Sequence, residues 1–596
     1  MKRGKIRKVL KVWLVINLLA NIGYADIKVD KGVQQNTRVD RAQNGANIIN
    51  INTPNSKGIS VNDYSEFKTK DPTVFNNFGS GVGRSYLAGM MASNPNLSKE
   101  QYARLILNRV NGAERAEIEN WLEVMSDHKT DLIFSSNQGF YLNNTGFINF
   151  DKVIFTTSKV FLDSNGDIQP FNIRGGSINV GREGINAEGL QYLALLSKQI
   201  SIDGIISAKD GDLDLIAGDF DYNPNTREYI NRASYNGDML ISASAYGSIY
   251  GQQIKVVANG GDLGVKSDMI GYKVLAINAD GTVKTNQVQG NSEVNIKAKE
   301  YIQEGSTYTE GNLNITADKT ILAGTGTQAE NINITGKLDN QTNIYAKGNI
   351  IVGNDTVNTG KLISEKGLTV SGNLNTSNVV YGKDLINISG GLFNSSDIQS
   401  EGNITIGLST TNKGRILTDN ILHINGSTVN DGTLYGKNKV VVQDLTNTGS
   451  VQSTGDITAK NVVNIGKIVG EGSITVLDLN NQNELVTNKA LTTNNLTNTG
   501  TLNTGEGISS NGNVVNHGVL NTNGGFLILG NLNNYNLLNV GETLNTRDLI
   551  NHGSLKAVDS LLTKGTTFYN QGEVLTTNLN VDNINIQNTN KVTVIN

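Results

Sequence analysis

Asn498-Thr499-Gly500-Thr501-Leu502 is followed, 18 residues on, by Asn516-His517-Gly518-Val519-Leu520. This Asn-x-small-x-aliphatic signature recurs every 17 to 19 residues in fourteen copies between Asn340 and Val574. Thirteen of the fourteen first positions are Asn, with Thr376 the exception. Twelve of the fourteen third positions are Gly or Asn, the residues that enter the left-handed backbone region at least cost. The fifth position is aliphatic in every copy, from Ile344 and Leu362 to Leu555 and Val574. A turn followed by an inward-facing residue at constant period implies one coil stacked on the next.

The mean period, 230 residues over 13 steps from Thr342 to Gly572, is a little under 18. That is too short for a pair of helices and suits a coil of short strands and tight turns. Alternation within the copies, as in Asn403-Ile404-Thr405-Ile406-Gly407, puts one set of side chains inside and one outside. The expected fold is all-β: a right-handed parallel β-helix with coils about 4.8 Å apart, its Asn column free to form a side-chain ladder. The signature fades after Gly572.

Composition agrees with a rod. Gly is 66 of 596 residues, Pro only 5, and charged residues 17%. There is no cysteine, which suits a chain translocated unfolded. At the N-terminus, Lys2, Arg3, Lys5, Arg7, Lys8 and Lys11 precede an apolar run from Val12 to Ala20. The run is interrupted by Asn17, is too short to span a bilayer, and is followed by Gly23-Tyr24-Ala25. This pattern predicts a signal peptide, 1–25, cleaved after Ala25. Its removal takes six of the 50 basic residues and none of the 54 acidic ones, leaving a net charge of −10. Such a balance argues against nucleic acid as a partner. No later segment approaches 18 uninterrupted apolar residues, so the mature chain has no expected transmembrane segment.

Residues 45 to about 185 break the repeat. They contain Ile51-Asn52-Thr53-Pro54-Asn55-Ser56-Lys57-Gly58-Ile59-Ser60, continued through Asn62, Tyr64 and Phe67. Asn94-Pro95-Asn96-Leu97, Ala103-Arg104-Leu105-Ile106-Leu107-Asn108-Arg109-Val110 and Gly146-Phe147-Ile148-Asn149 follow in that order. Together these resemble the secretion domain of filamentous-haemagglutinin-like exoproteins, the substrates of two-partner secretion. The family's opening pattern I-x-x-P-x-x-x-G-x-S-x-N-x-Y-x-x-F is met at every fixed letter, and the resemblance spans roughly residues 42–222. It departs at two places. The family's second Asn-Pro-Asn-Gly falls on Ser136-Asn137-Gln138-Gly139, keeping only Gly139, and the cysteine pair many members carry falls on Leu142 and Thr145.

The resemblance implies a secretion domain that caps and nucleates the β-helix, so the expected division is 26–290 for that domain and its first coils, then 291–596 for the repeats. It implies periplasmic recognition by an outer-membrane β-barrel transporter, passage as an unfolded chain, and folding outside the cell. Residues Asn94, Pro95, Asn96, Leu97 and Gly139 are the candidate determinants, read either by that transporter or as turns that fold the cap. The Pro of Asn94-Pro95-Asn96-Leu97 fixes its own φ and extends Asn94, while Asn96 suits a tight turn. Ser98-Lys99-Glu100-Gln101 looks like a capping box, but the family implies strand for the residues after it.

Chemistry is scarce. Asp210-Gly211-Asp212-Leu213-Asp214 has Leu215 where a calcium loop needs Gly, and reads instead as a strand with Leu213 and Leu215 inward and both Asp212 and Asp214 in water. His517 and His552 share a column but lie two coils apart with Tyr535 between them, too far to share a zinc. No cofactor, metal or catalytic residue is expected. The resulting expectation is a secreted or surface-retained fibrous adhesin that meets a host-cell or bacterial receptor. The alternatives are the stem of a contact-dependent toxin, a haemolysin of the same export class, and, less favoured, a polysaccharide-cleaving β-helix enzyme.

Overall fold

The computed structural model describes residues 27–595 of the chain. The signal-peptide cleavage after Ala25 lies outside the described residues. Among those described there is no helix, and none therefore long and apolar enough to cross a membrane. The chain divides between Tyr308 and Thr309 into two compact units, and the described residues of each form a parallel β-solenoid.

In the second unit each coil contributes short strands whose inward residues are buried and whose middle residues face out, the pattern buried–exposed–buried that period-2 alternation dictates. Consecutive coils pair in register: Leu485 lies over Leu502 and Leu502 over Leu520. All three are fully buried, as is the whole fifth column. The Asn column is inside too. Each amide hands a hydrogen bond to the next coil, as from Asn464 to Asn481, Asn481 to Asn498 and Asn498 to Asn516 at 2.8–2.9 Å. The same Nδ2 atoms also reach backbone carbonyls. Asn481, for example, donates to Asn483 and to Thr501.

Two expectations need correction. The third-column glycines are not left-handed: none of them has φ in that region. They are there because the coils touch at this corner. A Cβ on Gly500 would sit 2.1 Å from the carbonyl oxygen of Asn483, and one on Gly518 2.0 Å from that of Gly500. Nor does the repeat fade after Gly572. Asn588-Thr589-Asn590-Lys591-Val592 is a fifteenth copy, with Asn570 bonded to Asn588 at 2.8 Å and Val574 paired with Val592.

The first unit packs differently. Its main strands, Ile59–Thr69, Leu105–Val110, Thr130–Ser136, Phe150–Thr156, Tyr192–Ser197, Asp212–Gly218 and Ile249–Asn259, stack in parallel. Several are buried on both faces; all six residues of Tyr192–Ser197 are. Inside, aromatic rings fill the lumen, with Phe67 against Phe134 at 4.8 Å and Phe140 against Phe155 at 5.3 Å. Outside, a second apolar layer made by Val160, Phe171, Ile173, Phe220 and Tyr222 covers Ile59, Leu105, Ile133 and Tyr192. That layer includes an antiparallel sheet of Phe171–Ile173, Phe220–Tyr222 and Tyr229–Asn231. Residues 105–110 are strand, as the family resemblance implied. The capping-box signal is genuine in one respect, since the Ser98 amide donates to the Gln101 side chain at 2.9 Å. It closes a turn, with Glu100 left-handed at φ 64°, rather than starting a helix.

Candidate functional site

Asn94-Pro95-Asn96-Leu97 follows the hairpin Val82–Ser85/Gly89–Ala92 and returns the chain to the solenoid. Proline holds Asn94 extended, and its side chain points inward, where it is 1% exposed. Its Nδ2 donates to the carbonyls of Ile51 (2.9 Å) and Asn76 (2.8 Å). Its Oδ1 accepts from the Asn96 amide, and its carbonyl from that of Leu97, closing an Asx turn. Asn96 Nδ2 reaches the carbonyls of Asn36 (2.8 Å) and Ile51 (3.0 Å), and the Asn96 carbonyl accepts from Thr53. Leu97 is buried, while Pro95 is exposed. One tetrapeptide thus ties three segments, around residues 36, 51 and 76, that are distant in sequence.

Gly139 sits apart from this turn. At φ 102° it is left-handed, its amide donates to the Ser136 carbonyl, and its own carbonyl accepts from Ala116. A Cβ there would lie 2.1 Å from the Ser177 carbonyl oxygen, so the one residue kept from the degenerate second motif is the one sterics demand. Leu142 and Thr145 are fully buried, and the Thr145 hydroxyl donates to the Ile118 carbonyl at 2.9 Å.

Among the buried carboxylates whose burial the sequence does not reveal are Glu123 and Asp214. Glu123, 2% exposed, accepts from the Ser85 hydroxyl and from the amides of Tyr86 and Leu87, anchoring the 82–92 hairpin. Asp214 was expected in water, yet it is 7% exposed, because the outer layer covers this face. It accepts from the Tyr192 hydroxyl at 2.8 Å, and that hydroxyl also meets Tyr222 at 2.7 Å. The Arg227 guanidinium lies 3.8 Å over the Tyr192 ring and pairs with Asp212 at 3.0 Å.

Burial, only partly offset by Lys255 and the Tyr192 hydroxyl, raises the Asp214 carboxyl above the usual aspartate range. Folding therefore favours its protonated form. The cost of the buried charge is absent below the unfolded-state pKa and complete above the folded one. Asp214→Asn, which keeps an acceptor for Tyr192, is expected to be more stable than wild type at pH 7, with the gain vanishing as pH falls below the ordinary aspartate range. Urea unfolding at the two pH values checks this; a gain that persists at low pH would refute it.

Among the described residues, no group of three or more His, Asp or Glu is placed to hold a metal. His517 and His552 are separated by Tyr535, whose ring stacks on them at 4.3 and 5.1 Å.

Residues 25–285 match the family described as the TPS secretion domain. The chain is 29% identical over 242 residues to the filamentous hemagglutinin of Bordetella pertussis, covering 39% of this chain and 7% of that protein. It is 26% identical over 295 residues to a 16S rRNA endonuclease CdiA of Enterobacter cloacae, covering 47% of this chain and 8% of that one. The chain therefore spans less than a tenth of these relatives' lengths. A crystal structure of the filamentous hemagglutinin secretion domain superposes with a TM-score of 0.41 at 24% identity, over 53% of this chain and 99% of that one. Residues 25–285 are therefore similar to the TPS secretion domain family, and the chain is similar in sequence to filamentous hemagglutinin and CdiA proteins.

Proposed function

We propose that the chain is an exoprotein of two-partner secretion whose solenoid serves as a fibrous adhesin, secreted or held on the cell surface. The observation that carries this reading is the match of residues 25–285 to the TPS secretion domain family, followed by solenoid coils through to residue 594. The partner in export is a dedicated outer-membrane β-barrel transporter with periplasmic recognition domains. The partner outside is a receptor on host cells or other bacteria. The proposed role involves no catalysis and no cofactor. Purified mature protein should bind epithelial cells or a class on a sugar array; failure to bind any surface would remove the adhesin role while leaving export intact.

Export has its own test. Replacing both Asn94 and Asn96 by Ala removes the amides that hold residues 36, 51 and 76, at a cost of about 1–3 kcal/mol for each buried carbonyl left unpaired. Coexpressed with its transporter, the double variant should be processed and then retained in the periplasm. Wild-type amounts in the medium would rule the segment out as an export determinant.

A second reading has specific support. Several relatives are CdiA proteins, two of them named as toxins, so the chain also suits the stem of a contact-dependent toxin. An immunity gene beside its locus, and growth inhibition of neighbouring cells that lack it, would favour that reading over adhesion.

A further inference from the structure

From Asn394 to Asn588 every first-column amide donates to the one in the next coil, at 2.7–2.9 Å. Upstream, Asn340 donates to Asn358 and Asn358 to the Thr376 hydroxyl. There the chain stops. Thr376 has one hydroxyl proton, and it goes back to the Asn378 carbonyl two residues on. Nothing from Thr376 reaches Asn394, whose Oδ1 accepts instead from the Ser396 amide in its own turn. Among the described residues of this column between Asn340 and Asn588, this is the one joint that no bond between two column side chains crosses; off the column, the Ser395 hydroxyl still reaches the Thr376 carbonyl at 3.2 Å and the Gly391 amide the Asn373 side chain at 2.8 Å.

Other features fall on the same stretch. The hydroxyls of Thr356, Thr410 and Thr428 are buried without a protein partner. They stand in the inward column that continues as Leu445, Val462, Leu479 and Leu496. Around the joint the strands are three or four residues long, as in Leu374–Thr376 and Leu392–Asn394. Further on they run unbroken through a corner, as in Asp456–Asn464, Ile474–Asn481 and Leu491–Asn498. A solenoid's stability is close to a sum of nearest-neighbour interfaces, so a deficit at one interface stays local.

We infer that the second unit contains a built-in weak joint between the Thr376 and Asn394 coils, and that the rod opens there first. The backbone ladder crosses the joint intact, with Leu374 paired to Leu392 and the Ser395 amide bonded to the Thr376 carbonyl. The joint is therefore a place of reversible opening in a folded rod. The inference holds whether the rod is an adhesin or a toxin stem.

Hydrogen exchange of the purified mature chain, followed by mass spectrometry, tests it. Amides in residues 356–412 should exchange at least about tenfold faster than those in 464–551, the factor one lost buried hydrogen bond supplies. Thr376→Asn restores the donor and should slow exchange on both sides of the joint while leaving 464–551 unchanged. The reverse change, Asn481→Thr, should open a second fast-exchanging joint between the coils of residues 481 and 498. Uniform protection along the unit would overturn the proposal. So would a Thr376→Asn chain that folds and exchanges like wild type, or an Asn481→Thr chain that stays fully protected.

Discussion

Leu502→Asp is expected to destabilise the coils around it by about 4 kcal/mol or more. Leu502 is fully buried, with Leu485 directly on one side and Leu520 on the other. A carboxylate placed there meets only aliphatic side chains, and nothing in the column can pair with it. Thr501, one residue away, points outward and lies between Glu484 and Val519 in adjacent coils. Thr501→Asp sets a second carboxylate beside Glu484, which already pairs with Lys467 at 3.0 Å, so a cost of about 0.5–1 kcal/mol that shrinks with added salt is expected. Gly500→Val should cost more than Thr501→Asp, because its Cβ would press on the Asn483 carbonyl rather than because of an unfavourable φ. Chemical denaturation of the mature chain, with hydrogen exchange across residues 481–520, ranks the three. Equal losses for Leu502→Asp and Thr501→Asp would invalidate the register.

The repeat was legible because a solenoid writes its architecture into the sequence at fixed period. The aliphatic column and the Asn column could both be placed before any coordinates, and they occupy the positions the alternation assigns. What a periodic pattern does not reveal is the reason a residue is small. Gly500 and Gly518 satisfy a left-handed turn and a close approach between coils equally well on paper, and only the backbone φ together with the 2.0–2.1 Å Cβ clash separates the two. The fifteenth copy carries the full signature, with Asn590 third and Val592 fifth, but the strand that leads into it, Asn585–Asn588, has Ile586 as its one apolar residue, although the ladder bond to Asn570 is as short as the others.

In the first unit the sequence says less. Strands buried on both faces lose their alternation, so residues 192–197 look like any apolar run, and the face on which Asp214 lies is decided by an outer layer formed some distance along the chain. The candidate site divides the same way. Asn94 and Asn96 were identifiable by motif, but the carbonyls they satisfy, at Asn36, Ile51 and Asn76, belong to segments that no local pattern connects to them.

The Asn column supplies the remaining large effect, at Asn498. Its Oδ1 accepts from Asn481 at 2.8 Å, and its Nδ2 donates to Asn516 at 2.9 Å, to the Val519 carbonyl at 3.1 Å and to the Gly500 carbonyl at 3.2 Å. Asn498→Leu removes the donor and the acceptor together, leaving buried polar atoms on both neighbouring coils at a cost of about 2–4 kcal/mol. Asn498→Asp is nearly isosteric yet should cost more at neutral pH. Its carboxylate can still accept from Asn481, but three acceptors now face it where a donor is required. The sign of its pH dependence follows. Burial raises that carboxyl's folded pKa above its unfolded one, so the loss is complete above the folded value and recedes as pH falls and a proton restores the donor. Urea unfolding of the mature chain at pH 7 and near pH 4 should therefore show Asn498→Asp recovering relative to wild type while Asn498→Leu does not. If both variants keep the same deficit at both pH values, the column holds its coils by shape alone and the amide ladder contributes little.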